Sequence, residues 1–161
     1  MNRIVFQVED WGFVEAIYQE DKLYALELPQ IEGAETAITD DFGAQIVCQV
    51  REYFRGERQS FDLPIHLPDK QPQFKRAWQE AMEIPYGTTA TYGDLGLRMG
   101  NRFLARVVGN AMRHNPLPLI VPCHRVLARG GLGGFAGKMD GYNIELKERL
   151  LALETENSNI Y

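Results

Sequence analysis

The chain has 161 residues, enough for one large domain or two small ones. Its 45% apolar and 24% charged content is that of a globular protein, and no run reaches the roughly 20 apolar residues of a membrane helix. The net charge of −5 argues against a polyanionic partner only until its distribution is read. Residues 1–71 hold six Lys/Arg against fourteen Asp/Glu, whereas residues 95–139 hold Arg98, Arg102, Arg106, Arg113, Arg125, Arg129 and Lys138 and no acid at all. Such an acid-free stretch is an electrostatic footprint suited to phosphates. The acids Glu9 and Asp10 come too early for a secretory signal. Cys48 and Cys123 have no CxxC spacing, which fits a reducing intracellular compartment: the cytoplasm, or the nucleus in a eukaryote. With His66, His114 and His124 they form no paired metal-ligand spacing.

In chain order, residues 3–8, 12–19 and 22–28 read as three short strands rich in β-branched and aromatic residues. Leu23, Ala25 and Leu28 suggest one buried face on the third. After a loop over 29–39, Asp40 or Asp41 caps a helix with Phe42, Ile46, Val50 and Tyr53/Phe54 on one side, and Cys48 reads as a packed small hydrophobe among them. Gly56 ends that helix, and residues 61–68 read as an edge strand. The Pro68–Pro72 stretch is the expected boundary between domains spanning 1–68 and 72–158, an α+β arrangement with the sheet first and a mostly helical part second. His66 reads as a surface or packed histidine.

The second half is helical in pattern. Phe74, Ala77, Trp78, Ala81 and Met82 follow one helix face, and Pro85-Tyr86-Gly87 stops it. Thr91 caps a run from Tyr92 to Met99, Gly100-Asn101 ends it, and a helix over 102–114 follows. Leu104, Val107, Val108 and Ala111 form its expected buried stripe. Arg102, Arg106, Gly109 and Arg113 fall on the other face, and small Ala105 and Gly109 leave room for close approach. This is a helix-turn-helix signature with a basic outer face. Asn115-Pro116-Leu117-Pro118 breaks the helix. A glycine-rich loop over 130–137 lacks the GK[ST] ending of a phosphate-binding loop. A last helix spans about 143–153, Glu154 lies at its end, and the tail from Thr155 reads as frayed.

Between these lies Ile120-Val121-Pro122-Cys123-His124-Arg125-Val126-Leu127, an apolar run interrupted by a thiol, an imidazole and a guanidinium. A buried strand has no packing reason to carry those three groups. A thiol attacks as thiolate and needs a base or a positive field. Adjacent side chains diverge on a strand or a helix, so coupling Cys123 to His124 requires a turn at Cys123 or one bridging water. The histidine wants an acceptor for its other nitrogen, and Asp140, Glu145, Glu148, Glu154 and Glu156 are all available by spacing.

Pro122-Cys123-His124-Arg125 with its apolar flanks resembles the acceptor motif of the O6-alkylguanine-DNA alkyltransferase family. Tyr86-Gly87, Tyr92, Arg106, Gly109, Met112-Arg113, Asn115-Pro116-x-Pro118, Gly131-x-Gly133 and Leu150-Leu151-x-x-Glu154 match family positions in order. The resemblance covers about residues 72–154. It implies a ribonuclease-H-like first domain and a winged-helix-like second. It implies stoichiometric, irreversible transfer of an alkyl group from guanine O6 in duplex DNA to Cys123, without metal or cofactor, by a monomer. O4-alkylthymine stays open as a second lesion. By resemblance, Glu154, His124 and a water deprotonate Cys123, Asn115 holds the turn, and Tyr92 helps rotate the nucleotide out. Arg106 fills the vacated stack, with Ala105, Gly109, Arg113, Arg102 and Thr91 at the DNA. Met112, Pro118, Val126, Phe135, Ala136, Gly137 and Lys147 line the pocket. The chain departs from the family at Asn110, where a glycine is frequent, and in a longer 136–143 segment.

Overall fold

The computed structural model describes residues 1–130 and 142–158, with the side chains of Tyr142 and Asn143 left out. These residues form a mixed α/β structure in two compact units, Met1–Leu67 and Pro68–Tyr161.

In the first unit, β1 (Asn2–Val8), β2 (Gly12–Gln19) and β3 (Lys22–Gln30) make an antiparallel meander. Period-2 alternation on β2 turns Val14, Ala16 and Tyr18 inward. Helix α1 (Asp41–Phe54) packs on β1 and buries Phe42, Ile46, Val50 and Tyr53. Asp40 caps it by accepting from the Gly43 amide at 2.7 Å, and the Tyr18 hydroxyl donates to the same carboxylate.

Three expectations fail in this unit, each for a stated reason. The buried face of β3 is Leu23, Leu26 and Pro29, because irregularities in the β2–β3 register break strict alternation; Ala25 and Leu28 are half-buried. Residues 61–68 form no strand but one bridge, Leu23 to Ile65, since Pro64 and Pro68 have no amide to donate. Cys48 is exposed: it lies two positions from both Ile46 and Val50, on the far side of α1. His66 is half-buried and stacks on Tyr24.

The second unit holds α2 (Pro72–Met82), β4 (Ala90–Thr91), α3 (Tyr92–Arg98), α4 (Ala105–Arg113), β5 (Val126–Leu127) and α5 (Tyr142–Ser158). Thr91 and Asp94 form a reciprocal cap on α3. Gly100, at φ +117, turns the chain out of α3, and a short 3-10 turn over Arg102–Leu104 leads into α4. That turn is the correction to a continuous helix over 102–114. Leu104 falls outside the α-helical period and is only half-buried, as is Val107, while Val108 and Ala111 are buried. Helix α2 packs on α4, and the buried Trp78 indole donates to the Ala111 carbonyl at 2.8 Å. β4 and β5 pair in parallel, Ala90 with Val126 and Thr91 with Leu127.

Gly96 is where α3 meets the start of α4. A Cβ there would lie 3.0 Å from the Ala105 amide nitrogen and the Asn101 carbonyl oxygen. Gly96→Ala gains about 1 kcal/mol of helix propensity, but overpacking against backbone costs about 1–3 kcal/mol. Thermal unfolding is expected to show a net loss, with Tm lower by about 2–4 °C for a chain of this size. An unchanged or raised Tm would mean that the two helices can separate freely.

Candidate functional site

The run around Cys123 is not a strand. Asn115 organises the chain leading into it: its side-chain amide donates to the Val121 carbonyl at 2.8 Å, and its oxygen accepts from the Leu117 amide at 2.9 Å. Leu119 inside this loop takes φ +78, a conformation that costs a non-glycine residue roughly 1–2 kcal/mol. Residues Cys123–Arg125 then form a single 3-10 turn, closed by the Arg125 amide on the Pro122 carbonyl. Cys123, His124 and Arg125 are all buried. The turn sends the three side chains in different directions while keeping them within one small volume.

Helix α5 supplies what receives two of them. Leu146, Lys147, Leu150 and Glu154 share its buried stripe, so Glu154 enters the core at 1% exposure. Its Oε2 accepts from His124 Nε2 at 2.6 Å and from Arg125 Nη2 at 2.9 Å. Its Oε1 accepts from Arg125 Nε at 2.7 Å and from the Gly87 amide at 3.2 Å. Arg125 also donates to the Ile84 carbonyl and lies over the Tyr86 ring. Glu154 is not at the helix end. The helix runs to Ser158, because Thr155, Asn157 and Ser158 side chains bond back to carbonyls of the preceding turn, so the expected frayed tail is instead helical through Ser158.

The protonation states follow from this packing. Burial pushes the Glu154 carboxyl up, but the hydrogen bonds and charges of His124 and Arg125 outweigh it and hold the group well below the usual carboxylate range. Burial keeps His124 neutral, its pKa lowered despite the carboxylate. An ionised carboxylate only accepts, so Nε2 carries the imidazole proton and Nδ1 is the basic nitrogen. Burial raises the Cys123 thiol pKa; the Asn115 side-chain hydrogen bond and the Lys147 charge act in the opposite sense. Lys147 is buried, donates to the Val126 carbonyl at 2.9 Å, and has its pKa lowered by burial to about 8. Tyr92 is half-buried, and burial and the Cys123 charge raise its pKa. The β4–β5 ladder explains this neighbourhood, since it sets the start of α3 beside the segment that follows Cys123.

The structure therefore brings Cys123, His124, Glu154, Asn115, Tyr92 and Lys147 together. Met112, Pro118 and Val126 are buried in the same unit. Phe135, Ala136 and Gly137 lie outside the described residues. On the outer face, Arg102, Arg106 and Arg113 are exposed, and Ala105 and Gly109 are half-exposed. Nothing lies within 4 Å of a Cβ built on Gly109, so that face is open. Thr91 is engaged as the α3 cap. Arg125 is the residue whose part the sequence left unassigned. Its signal was a guanidinium inside an apolar run, which requires a buried acceptor.

A buried thiol on a tight turn, backed by an imidazole–carboxylate–guanidinium cluster and neighbouring an open basic helix, defines a nucleophile-bearing protein with a polyanion-facing surface. Residues 72–156 match the family model described as the 6-O-methylguanine DNA methyltransferase DNA binding domain. A methylated-DNA–protein-cysteine methyltransferase of Methanosarcina acetivorans is 41% identical over 116 residues, covering 71% of this chain and 70% of that protein. The constitutive Bacillus subtilis protein of the same description is 41% identical over 107 residues, 66% of this chain and 62% of its own length. The Mycobacterium tuberculosis O6-methylguanine methyltransferase crystal structure superposes with TM-score 0.77 at 31% identity, over 95% of this chain and 92% of that one. The same organism's protein in complex with DNA gives 0.77 at 33% identity, over 96% and 93%. The chain belongs to the O6-methylguanine-DNA methyltransferase family.

Glu154→Gln tests the network. The variant leaves Arg125 buried without its counter-charge, a loss of about 3–5 kcal/mol at neutral pH. The native carboxyl is depressed, so its contribution is present above the unfolded carboxylate pKa of about 4.3 and is lost as pH falls below it. Denaturant unfolding across pH should show wild-type stability falling through that acid range and a lower, flatter curve for Glu154→Gln. Parallel curves would mean that Glu154 is not the ionised centre.

Proposed function

We infer that the chain repairs duplex DNA by taking the alkyl group from O6 of guanine onto Cys123, once per molecule. The observation that carries the reading is the His124–Glu154–Arg125 cluster immediately behind a buried thiol. Glu154, held ionised, fixes His124 with Nδ1 as base. His124 takes the thiol proton, through a bridging water where the side chains diverge, and Glu154 stabilises the imidazolium. The Cys123 sulfur then displaces in line: the S–C bond forms as the C–O6 bond breaks, the electron pair goes to the guanine oxygen, and the proton held by His124 passes to the departing guanine, which leaves neutral. The displacement calls for no metal or cofactor. The thioether is stable, so the protein is consumed.

The remaining roles fit the same reaction. Asn115 holds the turn that presents the thiol. Tyr92, close enough to Cys123 to feel its charge, helps rotate the nucleotide out and hydrogen-bonds the guanine. Unstacking costs a few kcal/mol, least for a poorly paired lesion. Arg106 fills the vacated stack, with Arg102, Arg113, Ala105, Gly109 and Thr91 at the DNA. Met112, Pro118, Val126, Lys147 and the residues Phe135, Ala136 and Gly137 wall the pocket. The α3–turn–α4 pair acts as the helix-turn-helix of a winged-helix-like DNA-binding and alkyl-acceptor domain over 72–158. Residues 1–68 form a ribonuclease-H-like structural domain, supported by their meander-and-helix order. One chain carries every group named, so a monomer suffices, and a reducing cytoplasm would keep the thiol active. Among the described residues, no helix is long and apolar enough to cross a membrane.

Incubation with a duplex carrying O6-methylguanine should add one methyl per protein by intact mass, and Cys123→Ala should abolish the gain. Multiple turnover, or binding without transfer, would overturn the reading. His124→Ala and Glu154→Ala should slow single-turnover transfer by about a hundredfold or more, the scale of positioned general-base help, while duplex binding persists. Arg106→Ala should slow repair of duplex more than reaction with free O6-benzylguanine; equal effects would remove Arg106 from nucleotide rotation.

A further inference from the structure

Phe103 is exposed over 79% of its surface, the most exposed large apolar side chain among the described residues. Folding alone gives no reason for it, since burying such a ring is worth about 1.5–3 kcal/mol. It does not sit on loose chain. The Phe103 amide donates to Asn101 Oδ1 and the Leu104 amide to the Asn101 carbonyl, both at 2.9 Å, so the turn into α4 is pinned on both sides of the ring. The Arg102 guanidinium lies over the ring, 5.4 Å from its centre. Arg106 is exposed one turn further on, within the stretch that contains no acid.

An aromatic face and a guanidinium presented together on a rigid turn match a partner that offers a flat apolar surface next to an anion. A nucleotide does both, with its base or sugar face and its phosphate. An acidic protein surface satisfies the charges and leaves the ring wet.

We propose that Phe103 is an apolar contact of the DNA interface, its ring against the face of one nucleotide while Arg102 pairs with the adjoining phosphate. The proposal rests on the reading of α4 as the DNA-facing helix. It adds a contact that does not depend on salt to a surface otherwise built on charge.

The test compares wild type with full-chain Phe103→Ala, Phe103→Trp and Arg102→Ala. Affinity for an unmodified duplex is measured by fluorescence anisotropy across salt, and single-turnover transfer is followed from a methylated duplex and from free O6-benzylguanine. Phe103→Ala should weaken duplex binding about tenfold, near the low end of what burying such a ring against a sugar face contributes, with an unchanged salt slope. Its reaction with free O6-benzylguanine should match wild type, and Phe103→Trp should retain duplex affinity. Arg102→Ala should reduce the salt slope by about one. Wild-type duplex affinity in Phe103→Ala overturns the proposal. So does an equal loss toward the free base, which would make the residue a folding element. Reduced self-association in sedimentation velocity with duplex affinity intact would assign the ring to a contact between copies and overturn it too. If wild type transfers from neither substrate, the repair reading falls, and the anisotropy series still decides whether Phe103 contacts DNA.

Discussion

A single carboxylate, sealed from water, holds the site together. Glu154 reaches the core because it continues the apolar stripe of α5, and it stays ionised there because His124, Arg125 and the Gly87 amide all donate to it. A buried ion cluster of this kind is a weak source of net stability and a strong source of geometry. The donors come from two segments, the 85–88 turn and the Cys123–Arg125 turn. Meeting at one carboxylate fixes their relative placement. The imidazole tautomer, and with it the nitrogen available as a base, follows from that placement.

The thiol itself is stabilised in its neutral form by burial. A thiolate is the reactive form toward alkylation and oxidation, so a thiol kept neutral by burial is less open to both at rest. The strained Leu119 and the Asn115 brace serve the same arrangement. They hold a backbone path that regular structure would not adopt, and that path brings Cys123 onto a turn instead of into a strand. Lys147, buried and with its pKa lowered to about 8, adds a positive field close to the sulfur.

The outer surface follows a different logic. Arg102, Arg106 and Arg113 remain in water, within a sequence stretch that holds no acid, and none of them makes an ion pair among the described residues. Their field acts at a distance of about a Debye length and is sensitive to salt. Small residues on α4 keep the helix backbone accessible, and Gly109 leaves its side of the helix empty. Buried chemistry and solvated recognition thus occupy one unit without sharing groups.

Local pattern determined much of this. The helical period of α1, α2 and α5, the Thr91 cap, the strands β1 to β3 and the basic face of α4 are all set by residues within one or two turns of each other, so spacing reveals them. The same holds for the chemical types at 122–125. Where the chain departs from its local pattern, the cause lies elsewhere in the fold. The β3 face shifted because its register with β2 is irregular, and Cys48 turned outward because it lies on the side of α1 opposite Ile46 and Val50. The apolar run at 120–127 became a turn because Asn115 and the β4–β5 ladder hold its two ends. Spacing left five acids as partners for His124; only the packing of α5 singles out Glu154, thirty positions away, and ties Arg125 to it. Sequence fixes which groups are available and which face of an element they occupy, because those depend on neighbours along the chain. The choice of partner is a long-range contact paid for in loop closure and desolvation, and that balance is struck only in the folded structure.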